Sequence, residues 1–67
     1  LGNSHDERAE PILTEMLLSH DEPLARGHAA VALRQLMGSS AGPVLLRAER
    51  SERDDYVRTE IALALAS

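Results

Sequence analysis

Three groupings in this chain have residue types that could do chemistry. His28 and Glu60 stand 32 positions apart, and a His–Glu pair can ligate a metal. Asp54 and Asp55 are adjacent carboxylates, the residue type for general acid–base work. Ser39 and Ser40 lie between Gly38 and Gly42, a composition that loosely suggests a phosphate cradle. Each has a plainer reading. A metal centre needs three or more converging ligands held by ordered partners behind them, and His28 and Glu60 supply two. A phosphate loop needs a lysine and a strand–loop–helix setting, and the chain has no Lys. Paired aspartates ahead of an apolar run are explained by helix capping. His5 and His20 fall in expected loops and face solvent. No catalytic residue, bound metal or cofactor is therefore expected.

Arg26 and Arg58 also stand 32 apart and are the most deliberate polar positions. A half-buried guanidinium suits a bidentate carboxylate contact. Both are expected to be structural, with Asp54 or Asp55 as a partner for Arg26, or Asp21 or Glu22 within its own repeat. The run Arg47-Ala-Glu-Arg50-Ser-Glu-Arg53 alternates charge and reads as a solvated face with i,i+3 support.

The elements that must position these residues follow from the same 32-residue offset. Pro11-Ile-Leu13 returns as Pro43-Val-Leu45, and Ala30-Val-Ala-Leu33 returns as Ala62-Leu-Ala-Leu65. A fixed period of this size marks stacked repeats, each a helix pair unable to bury its apolar face alone. The spacing predicts four helices. The first starts near Ala9 with Ile12, Leu13, Met16 and Leu17 inward. The second runs from about Glu22 to Met37 with Asp21 as cap and Ala25, Ala29, Ala32, Leu33 and Leu36 inward. Gly38 to Gly42 reads as a linker. The third runs from Pro43 to about Arg50 with Val44, Leu45 and Ala48 inward. The fourth is capped by Asp54 and carries Tyr56, Val57, Ile61, Ala62, Ala64 and Leu65. The whole, 1–67, is one domain with repeats at about 6–38 and 39–67.

Composition narrows the class. At 67 residues with no Cys and Tyr56 as sole aromatic, the core must be Leu, Ile, Val, Met and Ala, which favours close-packed helices. Eleven acids against seven Arg give a net charge of −4. A chain so charged, without clustered cations or stacking aromatics, is a poor nucleic-acid binder. No apolar run approaches the roughly 20 residues that span a bilayer, and no signal peptide is evident. A cytoplasmic protein binding neither nucleic acid nor membrane is expected, and seven Arg without Lys suit a GC-rich bacterial genome.

Asp21-Glu-Pro-Leu-Ala-Arg26-Gly-His-Ala-Ala-Val-Ala-Leu33 and Asp54-Asp-Tyr-Val-Arg58-Thr-Glu-Ile-Ala-Leu-Ala-Leu65 resemble the second helix of HEAT-type repeats. They are most similar to the short HEAT-like repeats named after phycobilisome lyases, with an acidic-Pro start, a Val-Arg pair and an Ala-rich stripe. The resemblance implies an all-α solenoid of two antiparallel helix pairs whose second helices line a concave side. It implies a scaffold that grips a protein partner there, of unknown identity. Residues pointing away from the buried stripe are the expected contacts: Gly27, His28, Val31, Arg34 and Gln35, with Thr59, Glu60 and Leu63. Arg26, Arg58, Asp21 and Asp54 are expected to hold the stack. The alternative is part of a bilin lyase or chromophore-handling chaperone, as some relatives are. Deoxyhypusine hydroxylase, a di-iron enzyme with HEAT-like repeats, uses adjacent His-Glu pairs, whereas this chain has Gly27-His28 and Thr59-Glu60.

Leu1-Gly2 aligns with Leu33-Arg34, which implies a preceding repeat, and Ser67 precedes any counterpart of Leu36. Terminal repeats normally carry a polar outer face. Exposed apolar surface at the ends, with self-association through them, is the corresponding expectation.

Overall fold

The computed structural model describes residues 9–66. Four α-helices follow one another: α1 (Ala9–Ser19), α2 (Pro23–Met37), α3 (Gly42–Ser51) and α4 (Asp55–Ala66), with a short 3-10 turn at Gly38–Ala41. The described residues contain no strand. The all-α class and the two helix pairs are as the repeat predicts. Short connections fold α1 onto α2 and α3 onto α4, and α2 also packs along α4. One layer is therefore α1 and α3, the other α2 and α4. The expectation on Leu1-Gly2, with the loop placement of His5, lies outside the described residues.

Local chemistry explains the boundaries. Pro23 opens α2 and Pro43 stands in the first turn of α3, where a missing N–H costs nothing. Gly38 ends α2 with φ +62°, a backbone conformation that suits glycine, and its N–H donates to the Arg34 carbonyl. The following residues are no slack linker: they wind as a 3-10 turn, and Ala41 within it is fully buried.

Every helix contributes to one core. Leu17 comes from α1, Ala29, Ala30 and Leu33 from α2, Leu45 and Ala48 from α3, and Val57, Ile61 and Ala64 from α4. Burying a Leu, Ile or Val side chain stabilises by about 1.5–3 kcal/mol, so Leu17, Leu33, Leu45, Val57 and Ile61 dominate. Small residues on α2 give α4 a smooth surface to approach.

Two expectations need correction. Ile12 points outward, 59 % exposed, because α1 turns Leu13, Met16, Leu17 and Leu18 to the core instead. Asp21 does not cap α2; the N-cap is Glu22, whose side chain makes no capping bond. Asp54 does cap α4, its Oδ1 accepting the N–H groups of Tyr56 (2.9 Å) and Val57 (3.2 Å).

Candidate functional site

Two polar features organise the seam between the helix pairs. The first is a clasp. Arg26, one turn into α2, donates Nε to Glu52 Oε1 (2.9 Å) and Nη2 to Glu52 Oε2 (3.0 Å). Its Nη1 donates to the carbonyls of His20 (2.6 Å) and Asp21 (3.3 Å). One guanidinium thus ties the α1–α2 loop to the α3–α4 loop, with its side chain 17 % exposed and that of Glu52 6 %. The hydrogen bond to Glu52 raises the Arg26 pKa, against the opposing effect of burial. Burial pushes the Glu52 carboxyl up, but the Arg26 hydrogen bond, the Asp54 N–H and the Arg26 charge hold it below its ordinary value.

The carboxylate that meets Arg26 is Glu52, two residues ahead of Asp54, where the sequence pointed to Asp54, Asp55, Asp21 or Glu22. Asp21 accepts an Arg26 hydrogen bond through its backbone carbonyl, and its carboxylate adds only its charge. Repeat comparison hid Glu52, because 32 positions earlier stands His20, a residue of another type. The two nonetheless do one common job. Glu52 Oε2 accepts the Asp54 N–H at 3.0 Å, and His20 Nδ1 accepts the Glu22 N–H at 3.0 Å.

The second feature is a groove of about 490 Å³ between α2 and α4, lined by Val31, Arg34, Gln35, Glu60, Leu63 and Ala64. Val31 and Leu63 are exposed apolar side chains at matching repeat positions, 36 % and 60 % accessible. Arg34 forms part of the wall, its Nε donating to the Ala64 carbonyl near the end of α4 (3.1 Å). A cation there complements the negative helix end. Ala64 was not among the expected contacts; its alignment with Ala32 in the apolar stripe gave no sign that its neighbourhood would open.

Of the eight residues expected on this face, Val31, Arg34, Gln35, Glu60 and Leu63 converge on the groove. His28 and Thr59 are exposed but do not line it. Gly27 is a correction: it is buried, not a contact. A Cβ there would meet Tyr56 Cε2 at 2.7 Å and Glu60 Cγ at 3.3 Å. Gly27 is the point where α2 lets Tyr56 and Glu60 of α4 come close. Leu24 and Tyr56, also exposed on the second helices, lie seven residues before Val31 and Leu63 and so share their helix faces.

Among the described residues no group of three His, Cys, Asp or Glu side chains could hold a metal. Asp54 is occupied in capping, and Ser39 and Ser40 lie in the 3-10 turn. No helix described is long and apolar enough to cross a membrane.

The architecture and seam define a class: paired helices stacked as successive repeats around one apolar core. A family model described as HEAT repeats matches residues 1–66, and the chain belongs to that family. Proteins built of HEAT repeats are commonly interaction scaffolds. No curated protein and no solved structure was found to match the chain.

Proposed function

We propose that this chain is a protein-interaction module that holds a partner segment in the groove between α2 and α4, with no chemistry of its own. The observation that carries this is convergence. Five residues singled out on two separate helices because they point away from the buried stripe line one groove, with apolar Val31 and Leu63 flanked by polar Gln35, Arg34 and Glu60. An apolar floor with a few polar groups at its rim suits an amphipathic segment. The acidic-Pro start and Ala-rich stripe of Asp21–Leu33, with the Val-Arg pair at Val57-Arg58, support placing the repeats with the short phycobilisome-lyase type.

The test is affinity capture from a soluble extract of the source organism with native chain and a Val31→Glu, Leu63→Glu variant as baits. Both side chains are already exposed, so helicity by circular dichroism should be retained. A protein recovered on the native bait and lost on the variant is expected. Equal recovery on both would remove the groove from the binding surface. Incubation of the native chain with a linear tetrapyrrole should leave the pigment's visible band unmoved; a shifted band would overturn this reading in favour of chromophore handling.

A further inference from the structure

The face that α2 and α4 share is layered. Leu24, Val31, Tyr56 and Leu63 are four of the six large apolar side chains exposed among the described residues. Leu24 and Tyr56 hold one repeat position, and Val31 and Leu63 hold another seven residues on. Two apolar layers therefore stand about 10 Å apart along the helices. Glu60 falls between them and is half-buried. Among the described residues its carboxylate makes no hydrogen bond or ion pair. An aromatic ring lies beside it: the point where a Gly27 Cβ would stand is 2.7 Å from Tyr56 Cε2 and 3.3 Å from Glu60 Cγ. A carboxylate next to a tyrosine ring suits a cation. His28, the counterpart of Glu60 on α2, does not line the groove, and Arg34 stands past the Val31–Leu63 layer.

We infer, taking the groove proposed above as the binding surface, that its occupant is an amphipathic helix with an arginine or lysine between two apolar side chains. The apolar side chains rest on the Leu24–Tyr56 and Val31–Leu63 layers, and the cation meets Glu60 and the Tyr56 ring. The charge follows from Glu60. Any partner that closes over this face takes an unpaired carboxylate out of water, which costs binding unless the partner brings a cation to it. The helical form follows from the surface. An extended segment would lie on helices whose backbone groups are already paired, leaving its own N–H and C=O groups unsatisfied. A helix satisfies its own, and side chains at i and i+7 match the spacing of the two layers. Gly27 has a part in recognition as well as packing: with no Cβ there, Tyr56 and Glu60 come together against α2 midway between the layers.

The probe is a displayed library of single helices with two leucines seven residues apart and every position between them randomised. It is panned on the native chain, on Glu60→Lys and on Val31→Glu, Leu63→Glu, each checked for helicity by circular dichroism. The native chain should enrich arginine or lysine at a position between the leucines, and Glu60→Lys should enrich aspartate or glutamate there. By fluorescence anisotropy, a peptide selected on the native chain should bind Glu60→Gln at least about tenfold more weakly. Gly27→Ala, whose Cβ displaces the ring, should weaken it as well. Proline in the middle of the peptide should abolish binding. Selected helices that need Val31 and Leu63 but carry no preferred cation, or that bind Glu60→Gln as tightly, would overturn the inference and leave the groove standing as the binding surface. So would unchanged binding of the proline variant. No enrichment on the native chain, or equal enrichment on Val31→Glu, Leu63→Glu, would overturn both.

Discussion

Arg26 and Arg58 occupy one position of one repeat, yet the first is clasped by Glu52 and the second stands in solvent. Ala30 is likewise buried where Ala62 is exposed, and Leu33 is fully buried where Leu65 is half-buried. What differs is the neighbour. In a stacked-repeat protein a residue's contribution depends on whether another unit covers it. Residues with equal sequence standing should therefore differ sharply in energetic weight, and the pairs at the 32-residue offset give internal controls.

The largest contrast is expected in the core. Leu33→Ala should cost about 2–5 kcal/mol, enough to unfold much of so small a domain, whereas Leu65→Ala should cost about 1 kcal/mol or less. Urea denaturation followed by circular dichroism measures both, and equal losses would break the comparison.

Next comes the clasp. Glu52→Gln should cost about 1–2 kcal/mol at neutral pH, a charged-bond value discounted because solvent reaches Arg26. Arg58→Gln should stay within about 0.5 kcal/mol. The pH dependence has a definite sign. The Glu52 carboxyl is held below its ordinary 4.5 in the folded chain. Its contribution is present above that ordinary value and is lost as pH falls through the lowered one. The gap between native and Glu52→Gln should accordingly close below about pH 4.5. A gap unchanged from pH 7 to pH 3 would assign the cost to shape rather than charge.

The caps come third. Asp54→Ala should cost about 1 kcal/mol, because Oδ1 serves two helix N–H groups, whereas Glu22→Ala should change stability by only a few tenths. Smallest is Gly27. Alanine there gains about 1 kcal/mol in helix propensity but puts Cβ against the Tyr56 ring. Gly27→Ala should be near neutral in the native chain and stabilising once Tyr56 is Ala, a non-additivity that thermal melts would detect.

Much of this was legible in the sequence. Periodicity located all four helices, and Pro23, Pro43, Gly38 and Asp54 marked boundaries through fixed backbone preferences. Alignment of the two repeats named Val31 with Leu63 as one surface, and they share a groove. The misses have a common cause. Ile12 and Gly27 were assigned from the pattern of a single helix, but their exposure depends on how one helix pair sits on the next. Ile12 lies beyond that contact and is exposed; Gly27 lies inside it and is buried. Glu52 was missed because its counterpart 32 positions earlier is His20, a residue of another type, so the repeat did not single it out from Asp54 and Asp55. Arg34 read as a free contact residue, whereas its bond to Ala64 comes from a helix 30 positions on.

The most direct test is a double-mutant cycle between Arg26 and Glu52 by urea unfolding at pH 7, with Arg58 and Glu52 as reference. A coupling of about 1 kcal/mol or more for the first pair, and none beyond about 0.3 kcal/mol for the second, is the expected result. Equal couplings, or none at Arg26, would contradict the claim that one residue type is a seam in the first repeat and open surface in the second.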